Sequence, residues 1–187
     1  MAMVAHPHIE PAEFIALQTN AGWGMDIELI DGEAVVIPPI GGPASSAQGE
    51  LYFALRRWQQ DVADEGLVLQ DVFVVFPDGS HLAPDISWWS AARRPPRSDG
   101  SVKVIPDLVV EVLSPSTRVN DLGVKRELYM RSGVRELWLA DPDTDARTIT
   151  RVRPGVSEDD LLSEGDVLRS GLLDGFELGL TDVFRRI

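Results

Sequence analysis

With 187 residues, 44% apolar and 25% charged, the chain is long enough and apolar enough to bury a core as one domain, expected over residues 1–187. It has no cysteine, which excludes a disulfide framework, a cysteine zinc site and a cysteine nucleophile, and fits a reducing compartment. Its net charge of −13 disfavours tight nonspecific binding to nucleic acid, which rests on phosphate neutralisation, yet leaves room for a local basic groove. There is no run of about 18 apolar residues to span a membrane. The first residues, MAMVAHPHIEPAEF, lack the basic start and apolar core of a signal peptide. A cytoplasmic protein is expected.

In chain order, Pro11 to Thr19 reads as a short helix with Phe14 and Leu17 on one side. Asp26 to Ile37 is a hairpin signal, two apolar runs around Asp31-Gly32, a pair suited to the positive φ of a tight turn. After a Pro38–Pro43 loop, Ala44 to Glu65 reads as a long helix with Ala47, Leu51, Leu55, Trp58 and Val62 at three- or four-residue spacing. Ser45 or Ser46 is its candidate cap, Gly66 its stop, and Glu50, Arg57 and Asp61 its polar face. Leu67 to Phe76 gives one or two strands. His81 to Trp89 gives the next, with Pro84-Asp85 inside it as an edge, end or bulge. Arg93 to Gly100 is a polar loop whose arginines suit phosphate contact or plain solubility.

Leu108 to Leu113 follows as an apolar strand. Alternation puts Leu108, Val110 and Val112 on one face and Val109, Glu111 and Leu113 on the other. Apolar residues on both faces mark a central, covered strand. A carboxylate there needs a cation, a donor or a proton. A helix is predicted over Asn120–Ser132, with Asn120 as cap and Gly133 as stop, then a strand over Glu136–Asp141. Arg147 to Arg153 alternates and is expected to pair with that strand. The tail, Leu161 to Ile187, reads as short strands and a final helical turn. Trp88, Trp89 and Trp138 are expected in the core, and the three histidines show no metal-ligand spacing.

Asp85 and Glu111 lie on neighbouring predicted strands. Asp121, Lys125 and Tyr129 fall at i, i+4, i+8 on the helix after Glu111, with Leu122 and Leu128 flanking that face to dock it on the sheet. Of 17 basic residues only Lys103 and Lys125 are lysines. Two acids and an ammonium suit metal-assisted phosphodiester hydrolysis: carboxylates hold Mg2+, the metal activates a water, and the ammonium steadies charge. Each residue also has a plain structural role. On that reading Asp85 is a turn or strand-end acid accepting backbone hydrogen bonds, Glu111 a buried acid paired with an arginine or Lys125, Lys125 a partner of Asp121 on the helix surface, and Tyr129 a core residue with a satisfied hydroxyl. Glu50 reads as a solvated position or an auxiliary acid. Glu28 and Glu33 read as hairpin surface.

Together the segments ELIDGE (Glu28–Glu33), Pro84-Asp85, PDLVVEVLSPST (Pro106–Thr117), Asp121, Lys125, Tyr129, GVRELWLADP (Gly133–Pro142) and LLDGFELGL resemble the bacterial Uma-type family of candidate endonucleases, within the PD-(D/E)XK restriction-endonuclease-like superfamily. The resemblance runs from about Asp26 to Phe184. It implies an α/β fold with a mixed β-sheet flanked by helices and an N-terminal β-hairpin. It implies Asp85 and Glu111 as ligands to Mg2+ (or Mn2+), the Val112 carbonyl as a third, and Lys125 as the catalytic lysine, with Asp121, Tyr129 and Glu50 in support. Two features depart from the pattern. The superfamily lysine normally follows the acid by two residues, where this chain has Leu113, and the histidine that many relatives carry before the first long helix is absent from Gly42-Pro43-Ala44-Ser45. The expected activity is Mg2+-dependent DNA cleavage by a homodimer. The alternatives are an inactive binding or scaffold module of the same fold, or a metal-dependent hydrolase with a non-DNA substrate.

Overall fold

A computed structural model describes residues 9, 13–14, 26–97, 100–143, 145–185 and 187. The expected Pro11–Thr19 helix lies mostly outside the described residues; 13 and 14 are helical, and Phe14 is buried. Strands β1 (Asp26–Ile30) and β2 (Glu33–Ile37) form the predicted hairpin, turning at Asp31 and Gly32 with φ of 53° and 82°.

Helix α1 spans Gly42–Asp61. It starts before the predicted serine caps, at Gly41, because Pro43 fits the first turn, where its missing N–H goes unused. Ala47, Leu51, Leu55 and Trp58 are buried as the spacing requires, whereas Val62 lies past the helix end and is exposed. Strands β3 (Leu67–Gln70) and β4 (Val74–Val75) follow. The single strand expected over His81–Trp89 is two, β5 (His81–Leu82) and β6 (Ile86–Trp89), in different sheets. The break falls at Pro84-Asp85, where proline cannot donate to a ladder.

Strand β7 (Leu108–Val112) is central, between β6 and β8 (Glu136–Asp141). With β9 (Thr148–Val152) and β10 (Asp160–Ser163), the main sheet has the order β10-β9-β8-β7-β6-β3. It is mixed: β7 and β8 are parallel and the other pairs antiparallel. A second sheet, β2-β1-β5-β4, carries the hairpin. The tail supplies β11 (Val167–Arg169), β12 (Glu177–Gly179) and a terminal helix over Leu180–Phe184.

The two faces of β7 pack into separate cores, as alternation predicts. Leu108, Val110 and Val112 meet Leu51, Leu55 and Trp58 of α1, with Phe176 and Phe184 from the tail. Val109 and Leu113 meet Phe76, Trp89, Leu128 and Tyr129. Each fully buried leucine or valine contributes about 1.5–3 kcal/mol, so these contacts fix β7 and the groups it carries. Trp88 and Trp138 lie in the first core and Trp89 in the second.

The helix after β7 is kinked. It begins with α2 (Arg118–Asn120), passes through a kinked turn over Asp121–Lys125, and ends as α3 (Arg126–Ser132). Asn120 is therefore inside the helix and Thr117 precedes it; Gly133 ends it at φ 94°, as predicted. Gly123 breaks the helical path, with φ −108° and ψ −106°. Asp121, Lys125 and Tyr129 all turn inward, and Leu128 docks as expected, but Leu122 is exposed rather than packed on the sheet.

Candidate active site

Antiparallel pairing of Ile86 with Val110 puts Asp85, one residue further out, beside Glu111 at one end of the sheet. Backbone amides lace the two together. The Val112 N–H donates to Asp85 Oδ2 at 2.5 Å, and the Asp85 N–H to Glu111 Oε2 at 3.4 Å. The Asp85 carbonyl is held from behind by Gln48 Nε2 at 3.1 Å and by the Asp71 N–H at 3.4 Å.

Lys125 sits among three carboxylates, 3.2 Å from Glu111 Oε1, 2.9 Å from Glu28 Oε2 and 3.3 Å from Asp121 Oδ1. Tyr129 donates a short hydrogen bond to Glu111 Oε1. Glu28, Glu111, Asp121 and Lys125 are each 4% exposed or less. Together with Asp85, four carboxylates face one ammonium around a pocket of about 60 Å³.

That imbalance sets the proton affinities. Burial, followed by the charge of Glu111, holds Asp85 well above the usual carboxylate range. Burial also raises Glu111 and Glu28, although Lys125 pulls both back. Asp121 is pushed up to about 6, by burial and then by Glu111. Burial lowers Lys125, but Glu111, Glu28 and Asp121 outweigh it and hold the ammonium well above its ordinary value. Lys125 is therefore a fixed cation and not a proton acceptor. Burial and the nearby acids likewise hold the Tyr129 phenol protonated.

The structure thus brings Asp85, Glu111, Val112, Asp121, Lys125 and Tyr129 together. Glu50 lies elsewhere, lining a separate pocket between α1 and the tail with Trp58 and Phe176. The arginine loop is also remote. Arg93 pairs with Asp107 and Arg94 donates to the Glu65 carbonyl, at the opposite end of β6 and β7 from Asp85 and Glu111.

Glu28, expected on the hairpin surface, is a member of the cluster. Its Oε1 accepts the Ala83 N–H at 2.9 Å, which ties the hairpin to the Pro84-Asp85 break. Strand alternation alone does not reveal it, because Leu29 on the other face is buried as well as Ile30. Gln48 was also missed. It lies in the same helical stripe as Ala44, Ala47 and Leu51, so it had to be buried and to need partners.

The fold is similar to the crystal structure of a "putative nuclease belonging to DUF820" from Anabaena variabilis. The TM-score is 0.80 at 22% identity, over 95% of this chain and 98% of that one. No curated protein matches the sequence. The Uma2 family, described as "Putative restriction endonuclease", matches residues 11–181, a span that holds the hairpin, the Asp85 and Glu111 strands and the kinked helix. The chain belongs to the Uma2 family.

Proposed function

We propose that the chain is a divalent-cation-dependent nuclease that hydrolyses phosphodiester bonds in DNA, with Mg2+ as the cation and Mn2+ as its substitute. The meeting of Asp85 and Glu111 at one end of the sheet, beside a buried ammonium, carries this reading. The residues fit such a cation. Their donors are all oxygens, and the cluster holds more negative charge than Lys125 balances. Glu28 Oε2 and Asp121 Oδ1 are buried against the Lys125 ammonium, at 2.9 and 3.3 Å, so one cation is shared among three carboxylates. Among the described residues no three His, Cys, Asp or Glu side chains close around a common metal position. Mg2+ does not need that, since it commonly uses one or two carboxylates and keeps several waters.

Asp85 and Glu111 would hold the cation, with the Val112 carbonyl as a third ligand. Bound there, it would polarise the phosphate and lower the pKa of a bound water. The chain's own groups set the stage. Tyr129 and Lys125 both hold Glu111 Oε1, which leaves Oε2 on the Asp85 side. The Val112 N–H fixes Asp85 Oδ2. Lys125 supplies a permanent positive charge where charge builds up on the phosphate, and such preorganised charge is effective in a water-poor site.

The test is cleavage of plasmid, linear duplex and single-stranded DNA in Mg2+, in Mn2+ and in EDTA, with Glu111→Gln alongside. Cleavage by the parent that needs the cation and is lost in Glu111→Gln is expected. A folded parent that cuts none of these substrates, or cuts equally well in EDTA, overturns the reading.

A further inference from the structure

A second, larger cleft of about 940 Å³ opens beside the acid cluster, at the C-terminal ends of β7 and β8. The two adjoin. Ser114 lines both, and adjacent residue pairs divide between them: Val112 and Leu113, Thr117 and Arg118. We propose that this cleft takes a short single-stranded stretch of nucleic acid, with Arg118 binding a phosphate next to the one at Asp85 and Glu111. The inference rests on the nuclease reading and adds the form of the substrate and a binding residue.

The lining carries the argument. Among the described residues that line the two pockets, the basic ones are Arg118 and Lys125. Lys125 is buried against three carboxylates and serves the phosphate at Asp85 and Glu111. Arg118 is not spent in this way. Asp141, itself buried, holds one guanidinium nitrogen at 2.5 Å, while the side chain stays 45% exposed at the cleft. A guanidinium fixed by one acid and open to solvent is set to receive a phosphate, because its other N–H groups keep their fork geometry.

Much of the remaining wall is apolar: Pro39, Pro43, Leu113, Pro115 and Pro142. A duplex keeps its bases inside and offers phosphates, and its specific binding typically rests on several phosphate contacts. One available cation and an apolar wall do not match that. A single strand exposes base faces along with its phosphates, so a wall of prolines and Leu113 beside one arginine suits it better than a duplex. Asp143 and Asp145 line the cleft too. Their repulsion keeps the phosphates on the Arg118 side and disfavours a second strand further. A single strand needs one site, so this substrate does not require the homodimer expected for cutting both strands.

The test is fluorescence anisotropy of a short dye-labelled single strand, and of the duplex of the same sequence. Binding is measured in Ca2+, another oxygen-seeking cation, over a series of salt concentrations. The parent should bind the single strand more tightly than the duplex. Arg118→Gln should weaken single-strand binding about tenfold, and lower the slope of log affinity against log salt by about 0.7, the value for one phosphate contact. Arg118→Lys, which keeps the charge, should restore the slope. Tighter duplex binding, or a slope unchanged in Arg118→Gln, overturns the proposal. The outcomes separate from those of the nuclease test. A protein that binds in this Arg118-dependent way but cuts nothing refutes only the nuclease reading. One that cuts while Arg118→Gln keeps its slope refutes only this inference.

Discussion

Replacing Lys125 with methionine removes the charge from the middle of the acid cluster and keeps most of the stem. Three buried carboxylates, Glu28, Glu111 and Asp121, then lose their cation. Breaking a buried ion pair from one side costs about 3–5 kcal/mol. A second route gives the same size: the cluster can escape the penalty by binding at least one more proton. For a glutamate of ordinary pKa about 4.3, staying protonated near pH 7 costs about 2.7 units at about 1.4 kcal/mol each, or about 3.7 kcal/mol. Near pH 5 the same proton costs only about 1 kcal/mol. The loss in Lys125→Met should therefore fall from about 3–4 kcal/mol near neutrality to about 1 kcal/mol at mildly acid pH. Urea melts of parent and variant in EDTA at the two pH values read this directly. A loss under about 0.5 kcal/mol, the range of an exposed ion pair, would refute the reasoning. So would a loss that is the same at both pH values.

Other outcomes follow from the same contacts. Asp121 has its folded pKa raised from 3.8 to about 6, so its contribution is fully present below 3.8 and lost as pH rises through 6. In EDTA, parent stability should fall across that window by up to about 3 kcal/mol, and Asp121→Asn should flatten the fall in urea midpoints. Glu28→Ala should cost about 0.5–1.5 kcal/mol, because it removes the acceptor of the N–H of half-buried Ala83. Glu28→Gln keeps that acceptor and should cost less; equal melting temperatures for the two variants would remove the tie from the account. Asp107 behaves in the opposite sense. Burial raises its pKa, but Ser90 and Arg93 outweigh burial and hold it below the usual value. Its contribution is present above the unfolded value of about 3.9 and lost as pH falls through the folded one. Asp107→Asn should therefore be destabilised chiefly above about pH 4, which acid titrations of stability can check.

Local chemistry was legible in the sequence. Asp31-Gly32 announces its own turn, and Gly133 its own helix stop. The alternation along Leu108–Leu113 already implies a strand covered on both faces. Asp85 and Glu111 could be paired because each sits in a short motif and their strands turn out to be neighbours. What stayed hidden depends on tertiary contact. Glu28 looks like an ordinary hairpin acid until β1 is laid against β5, in a sheet separate from the one that carries Glu111. Leu122 looks like a docking residue, but it lies beside the kink at Gly123 and is exposed. The strand over His81–Trp89 reads as continuous, because the break at Pro84 matters only when two sheets compete for its halves. Glu50 sits on the right helix, but no spacing rule tells which pocket its face will line.

The account stands on Asp85 and Glu111 forming one cation site. Isothermal titration of Mg2+ into the metal-free protein tests this most directly. Binding is predicted for the parent, lost in both Asp85→Asn and Glu111→Gln, and kept in Arg118→Gln, whose side chain lines the neighbouring cleft. A folded parent that binds no Mg2+, or both carboxylate variants binding as well as the parent, would contradict it.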